Sequence, residues 1–126
     1  MNRILYVEDE PSFQALVSIM LDRADFGVDV AASGEEGLIK ALATPYDLIL
    51  MDLCMPGMDG FEATRRLKQT DRYNSVPIVA VTGLTSPEDV KRAYSAGICD
   101  YIAKPFKRNQ LLDLVYKHLS LAACED

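Results

Sequence analysis

Polar side chains stand where four short apolar runs end: Glu8 and Asp9 after residues 4–7, Asp52 after 48–51, Thr82 after 78–81, and Lys104 after 101–103. Carboxylates gathered from separate segments repel one another, and such a group persists near neutral pH only when a cation or a proton relieves it. A hard divalent ion suits these donors. Mg²⁺ takes oxygen ligands octahedrally and keeps waters beside one or two carboxylates, which fits Asp9 and Asp52 with Glu8 acting through water; Mn²⁺ can substitute. With its surroundings neutralised, Asp52 can act as a nucleophile toward phosphorus and form an acyl phosphate. The Lys104 ammonium and the Thr82 hydroxyl then match the charge that builds on the phosphoryl oxygens, so that catalysis is chiefly positioning and electrostatics. Gly83 leaves room for the backbone to approach.

A rim of this kind needs a frame that brings strand ends together. Apolar runs rich in β-branched residues at 4–7, 28–31, 48–51, 78–81 and 101–103 predict five strands. Between the first two, Phe13, Leu16, Val17, Met20 and Leu21 recur at helical spacing behind Pro11, a favourable first-turn residue. Ser33 can cap a second helix through Leu42, and residues 60–68 supply a third with Phe61, Thr64 and Leu67 turned one way. In the fourth, Ser86 is the cap, Pro87 the first residue, Val90, Ala93 and Tyr94 the buried stripe, and Gly97 the terminator. A fifth is expected over about 109–119 with Leu111, Leu112, Val115 and Leu119 inward. Alternating β and α with strands apolar on both faces predicts an α/β domain, a doubly wound parallel sheet covered by helices on both sides. The expectation is a single domain over 1–126, with a core of about 3–120, fraying from Ser120 and a C-terminal tail over 121–126. Ligands of such sheets bind beyond the carboxyl ends of the strands, where every polar candidate falls.

Composition narrows the function classes. A chain of 126 residues suffices for one full core. The net charge of −6, without any run of Lys or Arg, argues against direct nucleic-acid binding and against an anionic membrane surface. The longest apolar runs fall far short of the roughly 20 residues that cross a bilayer. Cys54, Cys99 and Cys124 show no paired spacing, and no leader-like segment precedes Ile4, so a cytoplasmic protein is expected. Cys99 is expected in the core and Cys124 as an inert tail thiol, while Met51, Met55 and Met58 are expected to pack. His118 is the only histidine and lies on the last helix, away from the rim, so no catalytic triad or histidine metal site can be built and histidine chemistry must come from a partner.

The stretches Tyr6-Val-Glu-Asp-Glu, Met51-Asp-Leu-Cys-Met-Pro-Gly-Met-Asp-Gly, Val81-Thr-Gly and Tyr101-Ile-Ala-Lys-Pro-Phe resemble two-component response-regulator receiver domains, over about residues 3–120. The resemblance implies a flavodoxin-like (βα)5 fold with strand order 2-1-3-4-5. It implies a signalling domain, not an enzyme, that takes a phosphoryl group onto Asp52 from a histidine kinase, a histidine phosphotransfer protein or a small donor. By the same resemblance Glu8 and Asp9 serve the metal, the Cys54 main-chain carbonyl completes its protein ligands, and Lys104 contacts the phosphate. Thr82 and Tyr101 form the switch pair, and the face of helix four, strand five and helix five meets a downstream effector or a second copy in a homodimer. Lys104-Pro105 is a candidate cis peptide. The alternative is a phosphorelay shuttle, or a receiver excised from a hybrid kinase or larger regulator. The chain departs from its relatives at Cys54 and Leu84, where polar side chains often orient a hydrolytic water; slow autodephosphorylation is the expectation. Aspartate-nucleophile phosphatases need a second aspartate where Cys54 stands, and Val7-Glu-Asp-Glu-Pro would repel the phosphate of a flavin-type cofactor.

Overall fold

The computed structural model describes residues 2–124, with side chains through Leu119. The strands are β1 (Arg3–Val7), β2 (Gly27–Ala31), β3 (Leu48–Met51), β4 (Ile78–Thr82) and β5 (Asp100–Ala103); the helices are α1 (Pro11–Arg23), α2 (Gly34–Ala43), α3 (Gly60–Lys68), α4 (Pro87–Ala96) and α5 (Arg108–Cys124). The strands pair in parallel in the order β2-β1-β3-β4-β5. Each strand bound lies within one residue of the sequence expectation, because apolar runs flanked by polar residues mark strands buried on both faces.

Strand alternation divides the core into two layers. Leu5, Val7, Ile49, Met51, Ile78 and Ala80 meet Ala41 of α2, Phe61, Ala63 and Leu67 of α3, and Ala93 and Ala96 of α4. Ile4, Tyr6, Leu48, Leu50, Val79 and Val81 meet Val17 and Leu21 of α1 with Leu111, Leu112 and Val115 of α5. Register then sets the rim. Val7 pairs with Met51, Met51 with Ala80, and Thr82 with Ala103. The Asp52 amide donates to the Val7 carbonyl at 3.0 Å and the Lys104 amide to the Thr82 carbonyl at 2.8 Å, so the residues after β1, β3 and β5 come to one edge.

Helix ends carry local signals. Ser33, Asp59 and Ser86 accept hydrogen bonds from the amides of Glu36, Glu62 and Asp89, and Gly97 ends α4 with φ 117°, a left-handed value that suits glycine. Four expectations need correction. Leu16 is 43% exposed, because α1 docks through Val17 and Leu21, and a neighbouring position lies about 100° around the helix. Tyr94 is 45% exposed for the same reason: α4 buries Ala93 and Ala96 instead. Cys99 is exposed, lying just before β5 at the sheet edge rather than in the core. Helix α5 continues past Leu119 to Cys124, into the stretch expected to fray; the Cys124 side chain and residues 125–126 lie outside those described.

Candidate functional site

Glu8 is wholly buried, Asp52 is 4% exposed, and Asp9 is exposed. An oxygen from each of these three carboxylates lies within 4.8 Å of the others, and among the described residues they form the single group of three or more His, Cys, Asp or Glu able to hold a metal. Glu8 Oε1 accepts from the Tyr6 hydroxyl at 2.8 Å and from Lys104 Nζ, while Oε2 accepts from the Glu10 amide at 3.2 Å. Lys104 Nζ also lies 3.6 Å from Asp52 Oδ2 and 4.3 Å from the centre of the Phe13 ring. Asp52 Oδ1 accepts from the Cys54 amide at 3.3 Å, and Gln14 Nε2 donates to the Glu8 carbonyl at 2.6 Å.

The remaining candidates frame this centre. Thr82 is buried and its hydroxyl oxygen accepts from the Leu84 amide at 3.0 Å. Tyr101 is half-buried and packs on the core layer beneath α2, α3 and α4. Gly83 is exposed, and a Cβ there would meet nothing within 4 Å, so the approach is open. The Lys104-Pro105 peptide is cis. His118 is remote from the rim, its Nε2 lying 3.0 Å from Asp100 Oδ2.

Gly60, the first residue of α3, sits against the backbone that follows β3: a Cβ there would run into the Asp52 carbonyl and lie 2.7 Å from Leu53 Cα. Gly60→Ala is therefore expected to destabilise the protein by about 1–3 kcal/mol, since the clash is with backbone that cannot rotate away. Urea unfolding of the two proteins measures it.

Burial, and next the neighbouring Glu8 carboxylate, push the Asp52 carboxyl up to about 7; Lys104 and the Cys54 amide only partly offset them. Burial would raise Glu8 too, but hydrogen bonds with Lys104, Tyr6, Asp52 and the Glu10 amide outweigh it and hold Glu8 below its ordinary value. Two carboxylates in one buried site thus hold on to a shared proton up to near neutral pH when no metal is bound, with Asp52 the member whose carboxyl is raised. Burial and the Glu8 carboxylate raise the Tyr6 hydroxyl far out of reach of titration, so it remains a donor. A divalent cation answers the same repulsion that the proton does, and a set of three carboxylates without nitrogen or sulfur suits a hard ion.

The sequence model described as the response regulator receiver domain matches residues 4–116. The chain belongs to that family. This receiver domain is 36% identical over 112 residues to the DNA-binding dual master transcriptional regulator RpaA of Synechocystis, a match covering 89% of this chain and 46% of that protein. It is 37% identical over 112 residues to the response regulator ArlR of Staphylococcus saprophyticus, covering 89% and 50%. The chain therefore spans about half the length of these curated relatives. Among solved structures, the chemotaxis protein CheY4 of Vibrio cholerae superposes with a TM-score of 0.91 at 34% identity, covering 94% of this chain and 99% of that one. The receiver domain of the sensor histidine kinase PA1611 of Pseudomonas aeruginosa, solved with a magnesium ion coordinated in its active site cleft, does so with a TM-score of 0.89 at 35% identity, covering 94% and 98%. No helix of the described residues is long and apolar enough to cross a membrane.

Three contacts of the receiver site escape a motif-based reading: Tyr6 on Glu8, Gln14 on the Glu8 carbonyl, and Phe13 beneath Lys104. Tyr6 alone had a sequence signal, since a residue on β1 two before Glu8, which directly follows that strand, shares its face.

Proposed function

We propose that Asp52 is the phosphoryl acceptor of this receiver domain. The observation that carries the proposal is the burial of Asp52 at the rim, its Oδ2 3.6 Å from the Lys104 ammonium, within an acidic group that a divalent cation would relieve. An Asp52 carboxylate oxygen attacks phosphorus; the P–N bond of a phosphohistidine breaks and the leaving imidazole keeps the electron pair and takes up a proton. With acetyl phosphate a P–O bond breaks and acetate leaves. Mg²⁺, or Mn²⁺ in its place, supplies charge neutralisation here, with Asp9, Asp52 and the Cys54 main-chain carbonyl as its protein ligands and Glu8 acting through water. Lys104 and Thr82 hold the phosphoryl oxygens.

The switch follows from the same contacts. The Thr82 hydroxyl exchanges the Leu84 amide for the phosphoryl group, and the Tyr101 ring turns into the space it leaves. That reshapes the face of α4, β5 and α5, where a downstream effector or a second copy docks. The donor is a histidine kinase or histidine phosphotransfer protein, and the compartment is the cytoplasm. A second reading, a phosphorelay shuttle or a receiver belonging to a larger hybrid kinase or regulator, draws support from the likeness to a kinase receiver domain and from the coverage of only about half of the curated relatives.

The test is chemical trapping. After incubation with acetyl phosphate and Mg²⁺, borohydride reduction should convert Asp52 to homoserine in the peptide that carries it; a reduced residue elsewhere would overturn the assignment. Autodephosphorylation is slow because Cys54 and the half-buried Leu84 side chain, which packs on the core, offer no carboxylate or amide to a hydrolytic water. Cys54→Asn combined with Leu84→Glu is expected to speed loss of the phosphoryl group by roughly tenfold or more, followed by intact mass over time.

A further inference from the structure

The Tyr6 hydroxyl has no part in the acceptor chemistry, yet it is buried with Glu8 as its partner. Tyr6 has no exposed surface and lies in the core layer of Ile4, Val17, Leu21, Leu48 and Leu50. Packing in such company is satisfied by a phenyl ring, and a buried hydroxyl persists there only with a hydrogen-bond partner. That partner is Glu8 Oε1 at 2.8 Å.

The same oxygen holds Lys104. Nζ is hydrogen-bonded to Glu8 Oε1 but lies 3.6 Å from Asp52 Oδ2, beyond direct hydrogen-bond length, so before phosphorylation Lys104 belongs to Glu8. A phosphoryl oxygen carried on Asp52 competes with Glu8 for the ammonium, which already stands 3.6 Å from Asp52 Oδ2. As the ammonium goes over to the phosphoryl group, the protein donors left to the wholly buried Glu8 carboxylate are the Tyr6 hydroxyl on Oε1 and the Glu10 amide, at 3.2 Å, on Oε2. A buried carboxylate that loses its donors is strongly penalised.

We propose that Tyr6 is a positioning residue for phosphoryl transfer: its hydroxyl supports the ionised Glu8 when Lys104 leaves it, and so releases Lys104 to the phosphoryl group. This rests on the assignment of Asp52 as acceptor. Removing the hydroxyl therefore costs more in the phosphorylated state than before it, and holds Lys104 back on Glu8.

The test compares wild type with Tyr6→Phe, each alone and in a Glu8→Gln background, using acetyl phosphate as donor. Mg²⁺ affinity is read by calorimetry, folding by urea unfolding, and phosphoryl gain at saturating Mg²⁺ by intact mass. Tyr6→Phe should stay folded, bind Mg²⁺ within about threefold of wild type, and gain the phosphoryl group about tenfold more slowly, as expected for a lost hydrogen bond to a buried charge. With the neutral amide of Glu8→Gln in place, adding Tyr6→Phe should change the rate by less than about twofold, because no charge is left to support. An unchanged rate in Tyr6→Phe, an equal loss in the Glu8→Gln background, or a loss matched by weaker Mg²⁺ binding would each overturn the proposal. If wild type itself gains no phosphoryl group, the acceptor assignment fails and this inference falls with it.

Discussion

Asp52→Asn is expected to lower the rate of phosphoryl gain from acetyl phosphate by on the order of a thousandfold or more, with the fold intact. Asparagine keeps the size of the side chain and an oxygen that can accept from the Cys54 amide, but it presents no carboxylate to attack phosphorus. Lys104 keeps its principal partner, since its bond runs to Glu8 and not to residue 52. The effect therefore isolates chemistry from architecture. Intact mass measures it directly: wild type should gain one phosphoryl group in the presence of Mg²⁺, and the variant none. Chelation of the metal should depress the wild-type rate as well, because Asp9 and Asp52 then face the donor's negative charge without a counter-ion. An adduct forming on the variant at the wild-type rate would move the acceptor elsewhere.

The same substitution should act in the opposite direction on stability. In metal-free protein it is expected to stabilise, increasingly as the pH rises. Folding raises the Asp52 carboxyl from its ordinary value of 3.8 to about 7, first through burial and then through Glu8. Between those values the folded protein holds a proton that the unfolded chain has released, so this contribution to stability is fully present below about pH 4 and is lost as the pH rises through 7. The neutral amide of the variant bears no such dependence. At about 1.4 kcal/mol for each pH unit, the gap between the two proteins should widen by about 2–4 kcal/mol from pH 4 to pH 8. Glu8, held below its ordinary value, works in the other sense and loses its contribution as the pH falls. Comparing Asp52→Asn with wild type at each pH separates the two, and urea unfolding in a chelator is the measurement. Adding Mg²⁺ at about a hundred times its dissociation constant should restore roughly 2.7 kcal/mol to wild type at pH 8 and much less to the variant. A gap that does not change with pH would mean that Asp52 is ionised in the folded, metal-free site.

Much of this receiver domain is written locally. Strand limits, the caps at Ser33, Asp59 and Ser86, the stop at Gly97 and the placement of Glu8, Asp9, Asp52, Thr82 and Lys104 at strand ends all depend on residues within a few positions of one another. Alternating β and α elements, with strands apolar on both faces, then leave few ways to assemble. The candidate acidic group follows from that assembly, and its three members meet as expected.

Side-chain exposure was less legible. Leu16 and Tyr94 belong to apolar patterns but lie outside the docked faces, because the rotation of a helix on its sheet is set by partners that the pattern does not name. Cys99 looked like a core residue until the edge position of β5 left it in solvent.

The amino-acid sequence by itself determined the elements, their order and the polar rim, since periodicity, capping and strand-end chemistry are properties of neighbouring residues. Only the tertiary structure decided which oxygen Lys104 takes, that Tyr6 shares it, and that burial beside Glu8 raises the Asp52 carboxyl. Lys104 and Glu8 lie 96 residues apart, and the bond between them exists only through strand register and through the burial that makes each charge seek a partner.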